Sequence, residues 1–110
     1  NFRCGQLPTG VPRDLALCVY RIAQEALRNA VKHAQADRVD LTLNADLEFL
    51  DLVVQDNGRG FDPVEARREA GLGFASMKER VRLVGGDILI SSEPSQGTTV
   101  EARVPLPEGP

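Results

Sequence analysis

The chain has 110 residues, 42% of them hydrophobic and 26% charged, with a formal net charge of -3. That length and balance fit one soluble domain with a modest core, and they exclude the basic footprint of a nucleic-acid binder. No apolar run approaches the ~18 residues of a membrane span, and Lys and Arg do not gather on one stretch, so no membrane contact is expected.

Cys4, Cys18 and the single histidine, His33, lack any metal-binding spacing. Cys18 lies within an apolar helical pattern and reads as a small core residue. No signal peptide opens the chain, and the cysteine pattern fits a reducing cytoplasm. The abrupt start and the ending Pro107-Glu108-Gly109-Pro110 read as a domain cut from a longer protein.

In chain order, Phe2-Arg3-Cys4 reads as the end of a short strand, and Gly5 to Gly10 as a loop broken by Pro8 and Gly10. Pro12 can open a helix. Apolar residues then recur at Leu15, Cys18, Val19, Ile22, Ala23, Ala26, Leu27, Ala30, Val31 and Ala34, the mixed threes and fours of an amphipathic helix running to about Ala34. Arg38 to Leu43 alternates, with Val39, Leu41 and Leu43 on one face. Asn44-Ala45-Asp46 is a turn, and Glu48 to Gln55 is a second strand, antiparallel to the first.

Asp56 to about Ala70 is loop-like, and its 62–70 portion is the candidate lid. Leu72 to Val84 reads as a second helix, with Phe74, Met77, Val81 and Val84 on one face and Leu83 off it. Gly85-Gly86 ends that helix. Asp87 to Ser91 and Thr98 to Pro105 are strands around a turn at 93–97. Two hairpins with helices packed on one face give an α+β two-layer sandwich with a mainly antiparallel sheet.

Three places carry chemistry. Asp56-Asn57-Gly58-Arg59-Gly60-Phe61 follows the second strand of the first hairpin. A carboxylate at a strand end can accept a hydrogen bond from a ligand amino group, and Gly58 and Gly60 let backbone approach closely, an arrangement able to hold adenine. On the first helix, with Glu25 at zero and about 100° per residue, Asn29 falls roughly 40° to one side, Lys32 about 20° to the other, and His33 at roughly 80°. This polar group borders the apolar stripe. It reads either as the rim of a solvated face or as a phosphate and Mg²⁺ site. In the second reading Asn29 and Glu25 offer oxygens, Lys32 an ammonium and Glu25 a base. Gly71-Leu72-Gly73-Phe74 opens the second helix, where free N–H groups favour phosphate. The same glycines also serve as plain loop punctuation. No P-loop or dinucleotide fingerprint is present. Gly97-Thr98-Thr99-Val100 opens the last strand, where an inward hydroxyl could support Asp56.

Together these segments resemble the ATP-binding catalytic domain of bacterial two-component sensor histidine kinases, in the superfamily shared with gyrase, mismatch-repair and chaperone ATPases. The stretch from Gln24 to Ala34 is similar to the N box and Asp56 to Phe61 to the first glycine box. Gly71 to Val81 is similar to the second glycine box, and Gly97 to Val100 to the Gly-Thr strand. His33 after Lys32, the short lid and Met77-Lys78-Glu79-Arg80 resemble the nitrate-sensor-like and thermosensor-like branch.

The resemblance implies a histidine-kinase-type fold over residues 1–110, with ATP and Mg²⁺ as cofactors. Asn29 would coordinate Mg²⁺. Glu25 would sit near the metal and γ-phosphate and act as base. Lys32 would touch phosphate, with His33 nearby. Asp56 would accept from the adenine amino group, with Thr98 supporting it through a water. Gly58 and Gly60 would shape the adenine pocket, and Gly71, Leu72 and Gly73 would close over the phosphates. The phosphoacceptor histidine, the dimerisation helix and the sensor would lie elsewhere. The downstream partner would be a response regulator with a helix-turn-helix output.

Other members of the superfamily offer alternatives: an ATP-driven clamp, a sigma-factor-binding serine kinase, or a degenerate binding module. The short Gly60–Gly71 interval argues against a clamp. Lys32-His33 and the second glycine box favour the histidine kinase over the serine kinase. The presence of both Asn29 and Asp56 argues against a degenerate module.

Overall fold

A computed structural model of the chain describes residues 2–4, 10–33, 35–60, 73–93 and 95–107. Strand β1 (Phe2–Cys4) precedes helix α1 (Arg13–Arg28), which runs directly into a π-helical turn, Asn29–His33. Strands β2 (Val39–Ala45) and β3 (Phe49–Asp56) follow, then helix α2 (Phe74–Leu83) and strands β4 (Asp87–Glu93) and β5 (Gly97–Pro105). The sheet order is β1-β2-β3-β5-β4. β1 runs parallel to β2, and every other neighbouring pair is antiparallel. The expected two-layer α+β sandwich is thus present, with β5 inserted between β3 and β4 and β3 at the centre.

Alternation decides which face of the sheet is covered. On β3, Leu50, Leu52 and Val54 point inward. Val100, Ala102 and Val104 do so on β5, and Leu41 on β2. Against them α1 lays Leu15, Cys18, Val19, Ile22 and Ala26, and α2 lays Met77 and Val81. Each fully buried side chain of this size contributes roughly 1.5–3 kcal/mol. The opposite face is polar: the Arg103 guanidinium there grips Asp51 at 2.7 and 3.2 Å and stacks over the Phe49 ring.

Leu83 lies off the buried face of α2 and is 71% exposed, as its position on the wheel predicts. Two residues of the expected α1 stripe do not join the core: Leu27 and Val31 are 38% and 66% exposed. At about 100° per residue they stand roughly 140° and 180° from Ile22, so spacing alone overstated the stripe.

Helix ends follow local chemistry. Pro12 is the N-cap of α1, one residue ahead of the first helical position. α2 ends in a Schellman closure: the Gly86 N–H donates to Val81 O, and the N–H of Gly85, at φ +77°, donates to Arg82 O. The first helix does not stay α to its end, and its last turn widens. Beyond it, Gln35 takes a left-handed conformation and the Ala36 N–H donates back to Ala30 O at 2.9 Å. The Cys18 thiol donates to Arg80 O at 3.6 Å, and burial pushes its pKa up, as befits a core residue. No helix among the described residues is long and apolar enough to cross a membrane.

Candidate functional site

Asp56 closes β3 with Val39 of β2 on one side and Thr98 of β5 on the other. One carboxylate oxygen, Oδ1, accepts the Gly58 N–H at 2.8 Å and the Thr98 N–H at 3.3 Å. Among the described residues Oδ2 receives no hydrogen bond, so one oxygen is fixed by backbone and the other can face a ligand. Thr98 is buried, and its hydroxyl shares a 2.8 Å hydrogen bond with Ser92 Oγ. Thr98 thus supports Asp56 directly through its backbone N–H.

The loop beyond Asp56 is stitched to the β4–β5 turn, backbone on backbone. Gly60 sits at φ +69°, and a Cβ there would stand 2.0 Å from Glu93 O. Gly97 sits at φ +81°, and a Cβ there would stand 2.1 Å from Asp56 O. The Ser95 N–H donates to Arg59 O. Gly60 is thus required first by the packing of this loop, and through it by the shape of the space beside Asp56. Gly58 is buried in the same loop.

Sequence reasoning passed over Asn57. Its side-chain Oδ1 accepts the N–H groups of Asp37 at 3.0 Å and Arg38 at 2.9 Å, and its own N–H donates to Arg38 O at 3.1 Å. The available signal was the habit of Asn in turns of bonding nearby backbone. The partner segment, some twenty residues upstream, was not readable.

The second cluster lies between the helices. Gly73 is the N-cap of α2 at φ +70°. A Cβ there would stand 2.6 Å from Glu25 Oε1, so the half-buried Glu25 side chain rests on the space a side chain at residue 73 would fill. Glu25 Oε1 also accepts from Arg28 Nη1 at 3.3 Å, a partly exposed pair worth little by itself. A cavity of about 190 Å³ opens here, lined by Arg21, Gln24, Glu25, Gly73, Ser76, Met77 and Arg80. It holds cations, a carboxylate and a hydroxyl around the start of a helix.

Asn29 is buried at the junction of α1 and the π turn, its N–H donating to Ala26 O and Glu25 O. Lys32 lies in the π turn and is exposed. The wider turn moves Lys32 away from the angle of a regular α-helix. Insertions of this kind recur at functional sites. The side chain of His33 and all of Gly71, Leu72 and the lid at 62–70 lie outside the described residues. The structure therefore joins Asp56 with Gly58, Gly60 and Thr98, and Glu25 with Gly73. Asn57 links the first group to the segment that leaves the π turn.

Among the described residues no three His, Cys, Asp or Glu side chains gather into a metal site. Glu25 and Asn29, one helical turn apart, supply two oxygens. That set suits a cation such as Mg²⁺, which keeps waters and takes its remaining ligands from phosphate.

The family described as histidine kinase-, DNA gyrase B-, and HSP90-like ATPase matches residues 15–108. The chain is 36% identical over 95 residues to the signal transduction histidine-protein kinase/phosphatase DegS of Brevibacillus brevis, covering 86% of this chain and 24% of that protein. It is 39% identical over 93 residues to the oxygen sensor histidine kinase NreB of Staphylococcus carnosus, covering 84% of this chain and 27% of that protein. The chain thus spans about a quarter of the length of these relatives.

Among solved structures, the blue-light activated histidine kinase of Erythrobacter litoralis EL346 superposes with a TM-score of 0.74 at 27% identity, over 96% of this chain and 34% of that one. The ATP binding domain of PrrB from Mycobacterium tuberculosis gives 0.67 at 28% identity, over 98% of this chain and 81% of that one. The chain belongs to the histidine kinase-, DNA gyrase B- and HSP90-like ATPases, and it is an ATP-binding domain of the histidine-kinase type.

Proposed function

We propose that residues 1–110 form a single catalytic ATP-binding domain that holds Mg²⁺-ATP and passes its γ-phosphate to a histidine on a separate dimerisation helix of the parent kinase. The observation that carries this reading is Asp56. Its carboxylate ends the central strand with one oxygen fixed by two backbone donors. Such an oxygen pair is preorganised to accept from the adenine amino group.

In this reading the phosphates run from Asp56 toward Asn29 and Lys32. The Lys32 ammonium and the N-terminus of α2 at Gly73 meet their oxygens. Glu25 and Asn29 would hold Mg²⁺, which when bound neutralises phosphate charge. Glu25 stands next to Gly73, and in this reading it would take the proton from the acceptor imidazole as its nitrogen bonds the γ-phosphorus and the bond to the β-phosphate oxygen breaks. The resemblance would add His33, Gly71 and Leu72 to the phosphate end. In this reading the domain works in the cytoplasm, where ATP is supplied, with a response regulator as the downstream partner.

Calorimetric titration with Mg²⁺-ATP tests the site. Asp56→Asn keeps an acceptor at Oδ1 but loses the charge at Oδ2, so affinity should fall about 10- to 100-fold, the worth of a hydrogen bond to a charged group. Asn29→Asp should also weaken binding, by placing a second charge beside the phosphates. Undiminished affinity in Asp56→Asn would sink the adenine assignment. Incubated alone with radiolabelled ATP, the chain should acquire no acid-labile label. A dimerisation helix added in trans should.

A further inference from the structure

We propose that Asn57 is a positioning residue of the nucleotide site, a clamp that fixes the segment leaving the first helix against the loop carrying Asp56. The inference rests on the reading of Asp56 as the adenine acceptor.

The geometry is a continuous hydrogen-bonded path between the two ends of the site. Asn29 and Lys32 occupy the π turn. The segment leaving it folds back through the Ala36 N–H to Ala30 O. The next two N–H groups, of Asp37 and Arg38, both donate to the Asn57 side-chain oxygen, and Asn57 returns its own N–H to Arg38 O. Asp56 is the adjacent residue, held on its other flank by Gly58 and Thr98. Asn57 thus sets where the phosphate-bearing turn stands relative to the base-bearing carboxylate.

Asn57 is exposed. Without its side chain, water can reach the Asp37 and Arg38 N–H groups, so the fold loses little. A clamp and a mere turn residue therefore differ in what they do to binding. The base readout is sharp because adenine presents an amino donor where guanine presents a carbonyl acceptor.

Calorimetry with Mg²⁺-ATP and Mg²⁺-GTP, paired with circular dichroism melts, is performed on the 110-residue chain and on Asp56→Asn, Asn57→Ala and Asn57→Asp. Asn57→Ala should bind ATP about tenfold more weakly, with GTP little changed, so that base preference narrows. Its melting temperature should drop by only a few degrees. Asn57→Asp keeps an oxygen acceptor for both N–H groups and should bind ATP within about threefold of the parent.

Full ATP affinity in Asn57→Ala, alongside weakened Asp56→Asn, overturns the clamp and leaves the adenine reading standing. Equal losses for ATP and GTP, unfolding of Asn57→Ala, or an Asn57→Asp as weak as Asn57→Ala also overturn it. Full affinity in Asp56→Asn removes the adenine reading, and the clamp with it.

Discussion

The two ends of the site are built from different materials. Around Asp56, main chain presses on main chain: Gly60 against Glu93 O, Gly97 against Asp56 O, and two N–H groups on a single carboxylate oxygen. Around Glu25, a side chain with several free torsions rests on Gly73, at the start of a helix that packs on α1 and the sheet edge. Backbone contacts between sheet-held segments cannot give way without moving strands. A glutamate can change rotamer at small cost. The structure thus pairs a rigid end around Asp56 with an adjustable end around Glu25, a contrast that, under the proposed function, would divide base recognition from phosphate handling.

The largest test of that contrast is Gly60→Ala. Its Cβ would stand 2.0 Å from a backbone oxygen at a left-handed φ of +69°. Urea unfolding should show a loss of more than about 3 kcal/mol. A loss under about 1 kcal/mol would mean that the rigid end yields as easily as the other.

Gly73→Ala comes next. Here the obstruction is the Glu25 side chain, which can swing away, and the residual cost is the left-handed backbone, so about 1–2 kcal/mol is expected. Adding Glu25→Ala should recover part of it, a coupling of about 0.5–1 kcal/mol in a double-mutant cycle. Strict additivity would show that Glu25 does not rest on this position.

The smallest effect belongs to a control at the far end of the same strands. Asp46 accepts the N–H groups of Phe49 and Glu48 at 2.7 Å each, which holds its carboxyl below the ordinary value of 3.8. A lowered folded-state pKa means stability present above the unfolded value and lost as pH falls through the folded one. Asp46→Ala should lower the melting temperature by a few degrees at neutral pH. The difference should fade in acid as pH drops below 3.8, and nucleotide affinity should stay unchanged.

Much of the frame could be read from the chain because local chemistry fixed it. Alternation marked both hairpins, Gly85-Gly86 marked the end of α2, and the wheel placed Leu83 outside. Asp56 was legible because a carboxylate followed by spaced glycines stands out after an apolar run. The parallel pairing of β1 with β2 and the insertion of β5 between β3 and β4 were not, since strand order depends on contacts between distant segments. Nor was the π turn, because Asn29-Ala30-Val31-Lys32-His33 suits an α-helix equally well residue by residue. Counting Val31 into the apolar stripe was a separate error, since even a regular α-helix sets it opposite Ile22. Asn57 was missed because half of its meaning lies at Asp37 and Arg38.

The central place of β3 has one more consequence. Bonded on both flanks, by β2 and by β5, it is among the last segments to exchange its amide protons with solvent, because its hydrogen bonds open only when the sheet itself opens. The carboxylate at its tip therefore shares the lifetime of the whole domain. Under the proposed function, the Asp56 end of the site would have nothing to rebuild between one nucleotide and the next, and ordering would fall on the helical side.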